Sequence, residues 1–113
     1  MNLIFVSIAI FGAAALFGLT VLIHWLVKKE APKVVIYSHG TLGAVSLVLL
    51  VAYTALHPEN FPKVSLLLFC LVAVVGFYMF FMNQVRRTRP VAVAVVHGLV
   101  AVTAFVLLIL FAI

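Results

Sequence analysis

Pro32-Lys33-Val34-Val35-Ile36-Tyr37-Ser38-His39-Gly40 returns 58 positions later as Pro90-Val91-Ala92-Val93-Ala94-Val95-Val96-His97-Gly98. In each copy a proline stands seven residues before a histidine that is followed by glycine. Proline suits a helix start, where its missing N–H has no intrahelical partner in any case, so both stretches are predicted to open helices. Each helix then carries an imidazole about 10 Å along its axis, at about 1.5 Å per residue. Inside a bilayer such a ring is costly to place and marks a functional site by default.

Composition predicts that these helices do cross a bilayer. The chain is 68% hydrophobic and 8% charged over 113 residues, and its apolar runs lack the polar face of a soluble helix. Four spans are expected, Leu3 to Val27, Val34 to Ala55, Val64 to Val85 and Val91 to Ile113, each near the roughly 20 residues that a hydrocarbon core of about 30 Å requires. Short connectors between them hold nearly all the charge. The expected fold is therefore all-α, an integral-membrane four-helix bundle in up-down-up-down order.

The first connector holds Lys28, Lys29 and Lys33, and the third holds Arg86, Arg87 and Arg89, whereas the second has Lys63 alone. The excess of Lys and Arg places the first and third connectors in the cytoplasm and both termini outside, as in a bacterial inner membrane. The formal net charge of +5 is thus a topology signal that also suits anionic headgroups, and a nucleic-acid partner is not expected. Without a basic segment ahead of the first apolar run, that run is expected to be a retained span rather than a cleaved signal. The single cysteine, Cys70, excludes an intrachain disulfide.

Laying residue i over residue i+58 without a gap gives 14 identities in 55 pairs, including Asn2 with Asn60, Ser7 with Ser65, Phe11 with Phe69, Gly18 with Gly76 and His39 with His97. Aliphatic matches are cheap in this composition, but matched Asn, Gly, Pro and His are not. A tandem duplicated hairpin, residues 1–55 and 59–113 of one transmembrane domain, is the simplest account. Two-span units keep the same orientation, so a pseudo-two-fold axis along the membrane normal is expected. The second and fourth helices lie diagonally opposite across it, which brings His39 and His97 face to face at one depth.

Two facing imidazoles can ligate one metal from both sides, as the axial ligands of a haem do. A flat macrocycle also needs small neighbours, which Gly40, Gly43 and Ser46 offer near His39, and Gly98, Ala94, Ala101 and Ala104 near His97. Lys28, Lys29, Arg86, Arg87 and Arg89 lie on the same side to receive propionates. The plainer alternative is that small residues serve close helix packing and that each histidine hydrogen-bonds across the bundle.

His24 and Met82 are equivalent under the same shift, and His with Met is itself an iron or copper ligand set. A second haem at their depth would collide with the first, so one central haem is expected, with His24 beside it; a soft-metal site of His24, His39, His97 and Met82 is the copper alternative. Met79 is expected to fill packing gaps. His57 is expected in a solvated loop, and Trp25, Tyr37, Tyr53 and Tyr78 as interfacial anchors. Gly12, Gly18 and Gly76 are expected to mark close helix contact.

No acidic residue lies within a span, which argues against a proton-coupled carrier; no nucleophile–base pair, phosphate loop or carboxylate pair is present. In its four spans and its His39-Gly40 and His97-Gly98 pairs, the chain resembles small four-helix membrane cytochromes of the b type. That resemblance implies haem b held noncovalently between the second and fourth helices, and electron exchange with a quinone or a partner subunit. Covalent attachment is excluded because no Cys-x-x-Cys-His occurs. Two other classes compete: a cofactor-free structural subunit, as a homo-oligomer or beside other membrane subunits, and a chlorophyll-binding or copper-binding subunit.

Overall fold

The computed structural model describes residues 2–113, which form four α-helices: α1 (Leu3–Leu26), α2 (Lys33–Leu56), α3 (Lys63–Gln84) and α4 (Val91–Ala112). Their ends agree with the expected spans to within one residue. No strand occurs among the described residues. Helices of 22 to 24 residues are about 33–36 Å long, more than the roughly 30 Å of a hydrocarbon core. The bundle is 44 Å along its major axis, and all four helices are long and apolar enough to cross a membrane.

Local chemistry sets the helix ends. The Asn2 side chain accepts a hydrogen bond from the Ile4 amide at 3.0 Å and caps α1, while Pro32, Pro62 and Pro90 occupy the cap positions of the other three. At the end of α1, Lys28 adopts φ 62° and the amides of Lys28 and Lys29 donate to the carbonyls of Trp25 and His24. This is the paired closure of a Schellman turn. Arg87, with φ 58°, turns the chain sharply after α3.

Each helix packs against two neighbours, α1 on α2 and α4, α3 on α2 and α4, which leaves α1/α3 and α2/α4 as the diagonals. Burial falls on one stripe per helix. Ile4, Ser7, Phe11, Ala14 and Trp25 are buried on α1, and Ser65, Phe69, Met79 and Asn83 on α3; on α2 they are Ser46, Leu50 and Tyr53, and on α4 Ala94, Ala104 and Leu108. Steps of three and four along each stripe are those of nearly parallel helix axes in a left-handed bundle. Residues 58 apart occupy matching places on these stripes, and Phe11 meets its counterpart Phe69 across the α1/α3 diagonal, ring on ring at 3.9 Å and 5°.

Two apolar clusters result. One, at the end that carries the termini, is built on Ile4, Phe11, Leu50, Tyr53, Phe69, Ala104 and Leu108. The other, at the end with the basic connectors, is built on Trp25, Met79 and Ala94. α2 takes no part in the second: it has no buried residue before Ser46. Trp25 and Tyr53, expected at the membrane surface, are instead core residues, 5% and 9% exposed; their rings fill the ends of the inward stripes.

At the basic end a polar clasp ties the connectors together. Buried Asn83 donates to Glu30 Oε2 at 3.0 Å and to the Thr88 carbonyl at 2.9 Å, and Arg89 pairs with Glu30 Oε1 at 2.8 Å. Partial burial raises the affinity of the Glu30 carboxyl for a proton, but the Asn83 and Arg89 hydrogen bonds and the charges of Arg89 and Arg87 outweigh it and hold the group below the usual carboxylate range.

Candidate functional site

Between the two clusters the bundle interior changes character. His39 of α2 and His97 of α4 come together across the diagonal, ring centroids 6.2 Å apart and planes at 75°. The seam that carries them is the inward one: His39 stands seven residues before buried Ser46, and His97 seven before buried Ala104. Facing each imidazole is a glycine of the preceding helix. A Cβ on Gly18 would stand 2.7 Å from Cε1 of His39, and one on Gly76 would stand 3.4 Å from Cε1 of His97.

Gly18 and Gly76 are therefore the notches into which the rings fit, a role that a chain-order reading assigned only to helix contact. Large and small residues alternate between the diagonals. Where α2 and α4 supply histidine, α1 and α3 supply glycine; on the terminal side of that layer α1 and α3 supply the stacked phenylalanines.

The hydrogen bonds fix the tautomer of His39. Its Nδ1 lies 2.7 Å from the Ala14 carbonyl, which can only accept, so Nδ1 carries the proton and Nε2 keeps the lone pair in the neutral ring. At the equivalent place in the second half, the Val72 carbonyl lies beside the His97 ring, but the buried His97 Nδ1 closes no hydrogen bond. A ring nitrogen anchored to a carbonyl, with the other left free, is the usual arrangement of a metal-ligating histidine.

A metal–imidazole nitrogen distance of about 2.0–2.1 Å puts two collinear rings on one metal with their centroids about 6 Å apart. The observed separation matches that span. Two imidazoles are a donor set that a haem iron accepts. Gly43, on the inward seam one turn from His39, opens onto free space, as do Gly40 and Gly98, where an added Cβ meets nothing within 4 Å. Ala101 is half-buried on the equivalent seam position of α4, whereas Gly40 is exposed on the outer surface. The Phe11–Phe69 stack closes the axis toward the termini, and the cluster of Trp25, Met79 and Ala94 packs the side toward the basic end. There the buried Trp25 Nε1 has no acceptor.

The other candidates lie apart from the pair. His24 donates from Nδ1 to the Thr20 carbonyl at 2.7 Å, and among the described residues no three of His, Cys, Asp or Glu form one group that could hold a metal ion. His57 is exposed, but it stacks on Tyr53 at 4.1 Å and bonds the Tyr53 carbonyl through Nδ1 at 3.0 Å. Asn83, which chain-order reading passed over, is the most heavily bonded polar side chain at the basic end. Comparison with protein-family models, curated proteins and solved structures gives no match for this chain.

Proposed function

We propose that this protein is a membrane-embedded b-type haem protein that carries electrons, with His39 and His97 as the residues that would hold the iron. The observation that carries the proposal is the 6.2 Å separation of two equivalent imidazoles on diagonal helices. When bound, the haem supplies a one-electron iron couple. The chain does the rest. Ala14 holds the His39 ring by its Nδ1 proton and leaves the Nε2 lone pair uncommitted, and Gly18 and Gly76 let both rings lie close against the neighbouring helices. The two apolar clusters lie on either side of the layer, and a surrounding of low polarity would tune the potential of a bound iron.

Lys28, Lys29, Arg86, Arg87 and Arg89 lie in the connectors at the basic end and suit haem propionates; Trp25 Nε1 offers one more donor there. A membrane quinone is the proposed electron partner, with a homo-oligomer or another subunit extending the path across the bilayer. The charge distribution supports a cytoplasmic location for the basic connectors in a bacterial-type inner membrane. A cofactor-free structural role is the competing reading. It is favoured by the bond that already satisfies His39 and by the phenylalanine stack that fills the axis beside it.

A reduced-minus-oxidised absorption spectrum of protein expressed with ample haem separates these. A Soret band with sharp reduced α and β bands supports bis-histidine haem b, whereas red absorption supports chlorophyll, and bound copper without a Soret band the soft-metal site. A colourless, metal-free protein that cannot be reconstituted supports the structural subunit.

A further inference from the structure

On the outer surface of α2, next to the histidine layer, is a shallow, widely open cavity of about 600 Å³ lined by Phe17 of α1 and by Val34, Tyr37, Ser38, Thr41 and Leu42. Ser38 and Leu42 flank His39 in sequence, so the cavity lies about one helix diameter, roughly 10 Å, from the imidazole pair. It opens sideways, toward the acyl chains, in the leaflet of the basic connectors. Its chemistry is unusual for a lipid-facing groove. Thr20, Thr54 and Thr103 each hide a hydroxyl by donating to a carbonyl one turn earlier, the ordinary way for a membrane helix to satisfy such a group. The hydroxyls of Ser38 and Thr41, which both line this cavity, have no hydrogen-bond partner among the described residues.

Tyr37 adds a third hydroxyl on the same stripe, and its ring is held edge-on by Phe80 of α3 at 5.6 Å. No charged side chain lines the cavity. A lining with one phenylalanine, one tyrosine, several neutral donors and no cation suits a neutral ring with carbonyl acceptors better than a phosphate, and its place on the outer helix face suits a ligand delivered from the bilayer. We infer that this cavity is the docking site of a quinone headgroup, with Ser38 and Thr41 donating to its carbonyl oxygens and the isoprenoid tail lying along α1 and α2. The inference rests on the electron-carrier reading for its purpose, since the site adjoins His39, but the binding itself needs no haem.

Photolabelling separates the two. Protein in phospholipid nanodiscs is exposed to an azido-benzoquinone with a decyl tail, and the labelled residues are mapped by mass spectrometry. Label is expected on residues 34–42, competed by excess unlabelled decylubiquinone and unchanged when the phospholipid headgroup is varied. The Ser38→Ala, Thr41→Val double variant is expected to bind about tenfold more weakly, as the loss of two modest hydrogen bonds implies. The Val45→Ala variant, on the same helix outside the cavity, is expected to label normally. Label spread evenly over the outer surface, label lost on changing the headgroup, or full labelling of the double variant overturns the proposal. Labelling of 34–42 in protein that shows no Soret band leaves the quinone site standing and removes the haem; a Soret band without such labelling does the reverse.

Discussion

The two hairpins share a skeleton and differ in what they hang on it. Four inward pairs are the same in both: His39 and His97, Gly18 and Gly76, Phe11 and Phe69, and buried Ser7 and Ser65. Toward the basic end the counterparts diverge, with Trp25 opposite Asn83, His24 opposite Met82 and Glu30 opposite Thr88. Ser7 donates to the Ser46 carbonyl at 2.9 Å, and Ala104 replaces Ser46 in the second half. A facing imidazole pair needs one histidine and one notch from each half, whereas the ends of the bundle need only hold together. The histidine layer is thus the part to which both halves contribute the same residues, although His39 is anchored to a carbonyl and His97 is not.

The most drastic way to break that equality is to delete one imidazole. His39→Ala and His97→Ala are each expected to abolish the bis-histidine absorption spectrum, and His57→Ala to leave it intact; a spectrum that survives either of the first two would show the halves to be unequal at the metal. Asn83→Ala sharpens the contrast at the basic end. It removes one of the two partners of Glu30 and the side-chain donor to the Thr88 carbonyl and is expected to cost about 1 kcal/mol, as for two part-buried hydrogen bonds with water at hand. Trp25→Phe, at the equivalent position, keeps the ring and removes an unpaired donor, so unfolding of the haem-free protein in detergent should be unchanged or slightly harder.

The glycine notches predict an unequal pair. Alanine gains roughly 1 kcal/mol over glycine in a helix, whereas forcing a methyl into a filled space costs about 1–3 kcal/mol. At Gly18, where the new Cβ would stand 2.7 Å from the His39 ring, the cost is expected to win and the spectrum to shift as the ring moves off Ala14. At Gly76, with 3.4 Å available, the helix gain should cancel or exceed it. Equal effects in detergent unfolding curves would contradict the geometry.

The smallest effect concerns Glu30. Its carboxyl is held below its ordinary value, so its contribution to stability is present above the unfolded carboxylate range and is lost as pH falls through the lowered folded value. With 49% of its side chain exposed, that contribution is at most about 1 kcal/mol. Glu30→Gln should flatten the acid limb of the stability curve by that amount and leave the neutral region nearly unchanged.

Much of the fold was legible in the order of residues. Apolar runs gave the spans, the prolines gave the helix starts, and the 58-residue repeat paired His39 with His97 on one axis. Gly18 and Gly76 were seen as a repeated pair, but their purpose depends on which helix faces which, and that is a property of packing. Setting the stripe through Ile4, Ser7, Phe11 and Ala14 against the stripe through Ser46, Leu50 and Tyr53 places glycine beside histidine, and that signal was present in the spacing. Trp25 read as an anchor because an aromatic near a helix end suits an interface; only the rotation of α1 turns it inward. Asn83 looked like an ordinary polar residue at a helix end, and its partner Glu30 lies 53 positions away.

The crossed rings offer the most direct test. Electron paramagnetic resonance of the oxidised protein, loaded with one haem per chain, reports how the two axial imidazole planes are turned about a low-spin iron. At 75° between the planes, the account predicts the highly anisotropic low-spin signal of near-perpendicular imidazoles, absent from both His39→Ala and His97→Ala. A high-spin signal, the rhombic signal of parallel rings, or the same spectrum in either alanine variant would contradict it.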